Sequence, residues 1–218
     1  MEQRTALVVG ATGLIGQFLV KKLEQQKEYK KIYILVRRAI EVNSKKVEVK
    51  VVSFDALESS VIPKVDDVFC CLGTTMKKAK TKEAFKQVDY EYPLKIARGA
   101  LEKGAKQFLV VSAIGASETS RFFYSRVKGE MEKAVMKLAY SHIHIFRPSL
   151  LLGERTELRV GEKVGEWGAK LAKPLLKGAL AKYRAISGEQ VAQVMVRAAL
   201  KKTDQRVLIY ESNRLGQL

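Results

Sequence analysis

The chain has 218 residues, 47% of them hydrophobic, only four prolines, and a formal net charge of +17. This length and apolar content suit a single domain with a buried core and exclude a disordered or fibrous chain. No run approaches the ~20 apolar residues that cross a bilayer, and Met1-Glu2-Gln3-Arg4 leads straight into an apolar segment without a leader pattern, so a soluble cytoplasmic protein is expected.

Thr5-Ala6-Leu7-Val8-Val9 is apolar without alternation, the pattern of a parallel strand buried on both faces. Leu14, Ile15, Phe18, Leu19 and Leu23 then recur at helical spacing. Between them lies Gly10-Ala11-Thr12-Gly13-Leu14-Ile15-Gly16, a glycine turn joining strand to helix. Gly10 permits a positive φ where the chain leaves the strand. Gly13 lets a pyrophosphate approach the unpaired N–H groups of the helix's first turn. Gly16 lets the helix lie close on the strand. The flanked turn predicts a dinucleotide site over Gly10–Gly16.

Lys31–Val36 reads as the second strand and runs into Arg37-Arg38. An acid there would serve the ribose hydroxyls of NAD and repel a 2′-phosphate, whereas a guanidinium makes charge-assisted bonds to that phosphate. NADP(H) is therefore expected over NAD(H), with Arg37 ahead of Arg38 as its ligand. The connection to the third strand, Val47–Val52, is too short for a full crossover helix. Asp55 follows at the carboxyl edge, either accepting from the adenine amino group or capping a helix.

Val65–Leu72 predicts the fourth strand, with Leu72, Gly73 and Thr74 placed to meet the cofactor. Cys70 and Cys71 point to opposite faces and read as core thiols. Met76–Thr81 reads as an exposed basic loop. Lys82–Lys103 is helical in pattern, with Pro93 interrupting it and Gly104 ending it. Gln107–Val111, the fifth strand, delivers Ser112 to the carboxyl edge, and Ser117–Ser120 offers caps for a helix over Arg121–Ala139. On that helix Tyr124 and Lys128 stand four apart on one face. A phenol titrates near 10 and is a poor catalyst at neutrality until a neighbouring ammonium favours its ionised form. With a serine hydroxyl holding a carbonyl oxygen, the pair can transfer a proton as hydride moves.

Gly10-x-x-Gly13-x-x-Gly16 with Tyr124-x-x-x-Lys128 resembles the short-chain dehydrogenase/reductase superfamily. Phe69–Thr75, Val127–Glu130 and Phe146-Arg147-Pro148 resemble its atypical branch, which contains the Tat-interacting protein, over nearly the whole chain. The resemblance implies a Rossmann fold, an α/β doubly wound and mostly parallel sheet with helices on both faces, and NADPH binding. It implies a catalytic Tyr124, Lys128 and Ser112, with Ser117 and Ser120 near enough to compete for the serine role. It also implies that Pro148 lies near the nicotinamide and Arg147 at the substrate cleft. Where members often carry an asparagine, Asp89 stands here.

Ser141–Phe146 reads as the sixth strand, whose His142 and His144 share a face but lack the carboxylate or thiol company of a zinc site. A helix over Gly161–Leu180 broken by Pro174, a last helix over Gly188–Lys201 and a strand over Val207–Tyr210 complete the domain, with 149–218 a short substrate-side extension.

The lysines are scattered and no aromatic residues interleave with them, so a solvated surface that attracts an anionic cofactor is expected rather than a nucleic-acid interface. Two functions follow from this reading. One is NADPH-dependent reduction of a small carbonyl compound. The other is an NADP(H)-binding regulatory module, working through a protein partner or as a homo-oligomer.

Overall fold

The computed structural model describes residues 3–152 and 185–215. Among these residues seven strands form one sheet in the order β3-β2-β1-β4-β5-β6-β9, with every neighbouring pair parallel. They are β1 (Arg4–Val9), β2 (Tyr29–Val36), β3 (Val47–Val51), β4 (Asp67–Cys70), β5 (Gln107–Val111), β6 (His142–Arg147) and β9 (Val207–Glu211). A second pair, β7 (Leu151–Leu152) and β8 (Ile186–Ser187), lies beyond the end of β6. The apolar runs are buried on both faces as their lack of alternation requires. Ala6 and Val8 face the layer of α1 (Gly16–Glu24) and α6 (Gly188–Leu200), while Leu7 and Val9 face that of α4 (Tyr92–Glu102) and α5 (Phe123–Met136).

The chain winds outward from β1 to β3, then crosses back to β4 beside β1 and winds the other way. That reversal opens a crevice past the carboxyl ends of β1 and β4, where ligands of such sheets lie. The helix C-termini point to the opposite edge, and basic side chains meet their carbonyls there. Lys46 Nζ donates to the Glu24 and Gln26 carbonyls at 2.9 Å each, Arg206 to those of Met136 and Leu138, and Arg4 to that of Ala199 at 2.7 Å. Part of the large positive charge therefore complements helix dipoles.

Several expectations need correction. Residues Met76–Ala79 form a short helix, α2, rather than a loop, because the Thr75 hydroxyl accepts the Lys78 N–H and caps it. The stretch from Lys82 divides into α3 (Lys82–Lys86), a π-turn over Gln87–Glu91, and α4. Pro93 cannot donate to the carbonyl four residues back and its ring would crowd that carbonyl; the wider turn before it absorbs both problems. Helix α5 starts at Phe123 with no side-chain cap, so none of Ser117–Ser120 serves that role. Instead the Ser117–Glu118 backbone lies against Gly129, where a Cβ would overlap it. Asp55 caps no helix, since the next helical turn, Ser59–Val61, begins after Glu58. The α6 helix and β9 follow the expected bounds closely. The helix expected over Gly161–Leu180 lies outside the described residues.

Candidate active site

The glycine turn folds as its residue types dictate. Gly10 has φ +83°, and a Cβ there would stand 2.6 Å from the Cys71 carbonyl oxygen of the neighbouring β4 segment. Gly13 donates back to the Gly10 carbonyl at 3.0 Å. A Cβ on Gly16 would overlap the Gly10 carbonyl oxygen, so its clearance is against the turn itself rather than against the strand. Gly188, which sequence reasoning passed over, brings the start of α6 onto the same turn; a Cβ there would stand 2.7 Å from the Leu14 carbonyl oxygen.

Past this turn lies a cavity of about 490 Å³. One wall is Thr12, Gly13, Leu14 and Ile15 at the start of α1, whose first turn holds no acid to repel an anion. The far wall is Leu72, Gly73, Thr74, Asp89, Ser112, Tyr124 and Lys128. The elements explain the convergence: β4 and β5 end there, the π-turn carries Asp89 inward, and α5 enters with Tyr124 in its first turn.

Among the described residues, Asp89 and Lys128 are the buried charges of this lining, at 0% and 3% exposure. Asp89 Oδ2 accepts the Thr74 N–H at 2.8 Å. Its Oδ1 stands 2.8 Å from Lys128 Nζ but off the line of a hydrogen bond, so charge holds that contact. Burial works to strip the proton from Lys128, yet Asp89, with Tyr124 beside it, outweighs burial and holds the ammonium above the ordinary lysine value. Lys128 also reaches the Val111 carbonyl at 3.4 Å. Ser112 is 4% exposed, and its Oγ has no hydrogen-bond partner. Tyr124 is 41% exposed, its ring tilted against Phe85 at 5.6 Å between centroids.

These features fit a nicotinamide dinucleotide. A Cβ on Gly73 would stand 3.5 Å from Asp89 Oδ1 and 3.8 Å from Lys128 Nζ, filling the space above the pair. The orphaned Ser112 hydroxyl needs a partner from the cavity, because a buried hydroxyl left unpaired is costly.

The structure thus brings Thr12–Ile15, Leu72–Thr74, Ser112, Tyr124 and Lys128 together. It sets other expected residues apart from the cavity lining. Gly10, Ala11 and Gly16 shape the turn from behind. Arg37 and Arg38 are exposed past the end of β2. Asp55 instead accepts from Gln87 Nε2 at 2.8 Å and from the Tyr92 hydroxyl. Pro148 is buried, its carbonyl accepting the Ile114 N–H, and the residues after it, Ser149–Leu151, reach the cavity. Arg147 is held away from the lining by ion pairs to Glu132 and Glu211, at 2.5 and 3.2 Å. His144 stacks on Tyr210 and bonds its hydroxyl at 3.1 Å. Cys71 borders the cavity, but burial pushes its thiol well above the ordinary range, so it is a wall and not a nucleophile.

Comparison with known proteins agrees with the cavity. The profile of a family described as NAD(P)H-binding matches residues 10–202. The mitochondrial protein FMP52 of Eremothecium gossypii is 37% identical over 216 residues, covering 98% of this chain and 96% of the relative. The protein HTATIP2 of Rattus norvegicus is 36% identical over 167 residues, covering 74% and 69%. Among solved structures, the oxidoreductase ylbE of Lactococcus lactis has a TM-score of 0.67 at 18% identity, covering 98% of this chain and 96% of that one. A UDP-N-acetylglucosamine 4-epimerase of Methanobrevibacter ruminantium reaches 0.71 at 13% identity, covering 97% and 77%. At these identities the structural likeness speaks for the fold alone.

Proposed function

The chain belongs to the NAD(P)H-binding family, and on that premise we propose that it is an NADPH-dependent oxidoreductase of the short-chain dehydrogenase/reductase type acting on a small carbonyl compound. The observation that carries the reading is the convergence of Ser112, Tyr124 and Lys128 on the cavity that the glycine turn borders. When bound, the reduced cofactor supplies the hydride. The Tyr124 phenol gives its proton to the substrate's carbonyl oxygen, and the Ser112 hydroxyl, otherwise unpartnered, donates a hydrogen bond to that same oxygen. Lys128 holds the ribose, and Asp89 keeps it protonated one helical turn from the phenol.

The preference for NADPH rests on Arg37, with Arg38 beside it, both exposed where β2 ends. Titration of NADPH and NADH by calorimetry tests it. NADPH is expected to bind about tenfold or more tightly, and Arg37→Ala to remove most of that margin. Equal affinities in the wild type would sink the phosphate assignment and leave the glycine turn standing. A carbonyl panel with NADPH then separates an enzyme from a cofactor-sensing module with a protein partner. Tight NADPH binding with no turnover of any carbonyl would favour the module.

Cytoplasmic residence belongs to the same proposal. Among the described residues no helix is long and apolar enough to cross a membrane. The fungal relative is named mitochondrial, so cell fractionation decides between the two compartments.

A further inference from the structure

The buried charges of the cavity lining among the described residues are one carboxylate and one ammonium, 2.8 Å apart and summing to zero. The two states of a nicotinamide differ by one charge: the reduced ring is neutral and the oxidised ring is a cation. If Tyr124 protonates the substrate, as proposed above, the ring and the carbonyl must both lie beside it. They then lie beside Lys128, one helical turn away on α5, and beside Asp89, which faces Lys128 across the cavity wall.

We infer that Asp89 is a specificity residue for the redox state of the cofactor: its carboxylate cancels the charge of Lys128, so the oxidised ring meets a neutral pair instead of a bare ammonium. An asparagine at this position would still accept the Thr74 N–H, which Asp89 Oδ2 accepts at 2.8 Å. It would not neutralise Lys128. The carboxylate therefore adds a charge function to a backbone contact that an amide would serve equally well. The consequence for turnover is tolerance of both forms, and with it catalysis in either direction.

A charge cycle tests this. Dissociation constants of NADP+ and NADPH are measured by calorimetry at pH 7 and low salt for the wild type, Asp89→Asn, Lys128→Met and the double variant. The readout is the ratio of the NADP+ constant to the NADPH constant. Two unit charges about 7–12 Å apart at an effective dielectric near 20 correspond to a ten- to fiftyfold effect, about 1.4–2.4 kcal/mol at 1.4 kcal/mol per decade. The ratio is expected to rise by that factor in Asp89→Asn, to fall comparably in Lys128→Met, and to return to within about threefold of wild type in the double variant. Loosened packing or a lost ribose contact weakens both forms alike and leaves the ratio unmoved. If Asp89→Asn does not fold, a ratio in Lys128→Met well below that of the double variant carries the same information. A ratio unmoved, or moved the same way by both single changes, overturns the inference while leaving the cofactor site intact. Failure of the wild type to bind either form overturns the functional reading itself, and this inference with it.

Discussion

At the amino edge of the sheet, Arg4, Tyr29 and Asp67 stand at the starts of β1, β2 and β4. At the carboxyl edge, Lys128, Tyr124 and Asp89 gather around the ends of β4 and β5. Each group is a buried carboxylate with a cation and a tyrosine, and both carboxylates are fully buried. At the amino edge every partner is internal. The Tyr29 hydroxyl donates to Asp67 at 2.6 Å, Arg4 pairs with the other carboxylate oxygen, and the rest of its guanidinium serves Ala199. At the carboxyl edge the tyrosine is turned to solvent and the nearby Ser112 hydroxyl is unpaired. The same residue types make a closed structural clasp in one place and an incomplete, ligand-ready constellation in the other. Satisfaction of the polar atoms, and not their identity, separates the two.

Removing the hydroxyl of Tyr124 should have the largest effect. Tyr124→Phe is expected to lower carbonyl turnover by about 10²–10⁴-fold, the usual worth of a general acid, with NADPH affinity and melting temperature close to wild type. Steady-state kinetics beside a thermal melt would check this. Turnover equal to wild type would remove Tyr124 from the chemistry and leave its side chain a rim residue.

Away from the cavity, pH should act on stability through Asp67 and His144. Burial pushes Asp67 from 3.8 up to about 6, against the pull of Arg4. Burial likewise pushes His144 from 6.5 down to about 4. The folded state therefore takes up a proton at Asp67 more readily than the unfolded chain, so that contribution is full below about 4 and is lost as pH rises through about 6. His144 runs the other way: its contribution is full above about 6.5 and is lost as pH falls through about 4. Each is worth about 3 kcal/mol, and in the wild type they nearly cancel. Urea midpoints between pH 4 and 6.5 should fall with rising pH in His144→Phe and rise with it in Asp67→Asn. Parallel slopes in the two variants would show that one of these groups does not titrate as its burial requires.

Much of this was legible in the sequence, and the boundary of what was legible is physical. Unalternated apolar runs located the strands, and the glycine turn was readable because Gly10 and Gly16 answer to backbone a few residues away or on the adjoining strand. Tyr124 and Lys128 were readable because four residues make one helical turn. The clasp was not, since Arg4, Tyr29 and Asp67 meet only through the register of strands distant in sequence. Arg147 was drawn toward the cleft by resemblance, and its true partners, Glu132 and Glu211, come from a helix and from the last strand. The π-turn escaped notice because Pro93 signals an interruption without saying how the chain accommodates it. That accommodation is what places Asp89.

Tyr29→Phe makes the same one-atom deletion as Tyr124→Phe, on the satisfied side. Asp67 loses one donor but keeps Arg4, so the cost is a buried oxygen deprived of one bond and not a broken ion pair: about 1–2 kcal/mol rather than the ~3–5 kcal/mol of an orphaned buried charge. The remaining ring still meets Phe69 edge-on, at 6.3 Å between centroids, so packing is preserved. A chemical-denaturation curve should show a lower midpoint with an unchanged slope. NADPH affinity and turnover should be those of the wild type, because the clasp and the cavity occupy opposite edges of the sheet. Loss of cofactor affinity in this variant would mean that strain travels along β1 and β4 from one edge to the other, and the two groups would then have to be treated as one coupled unit.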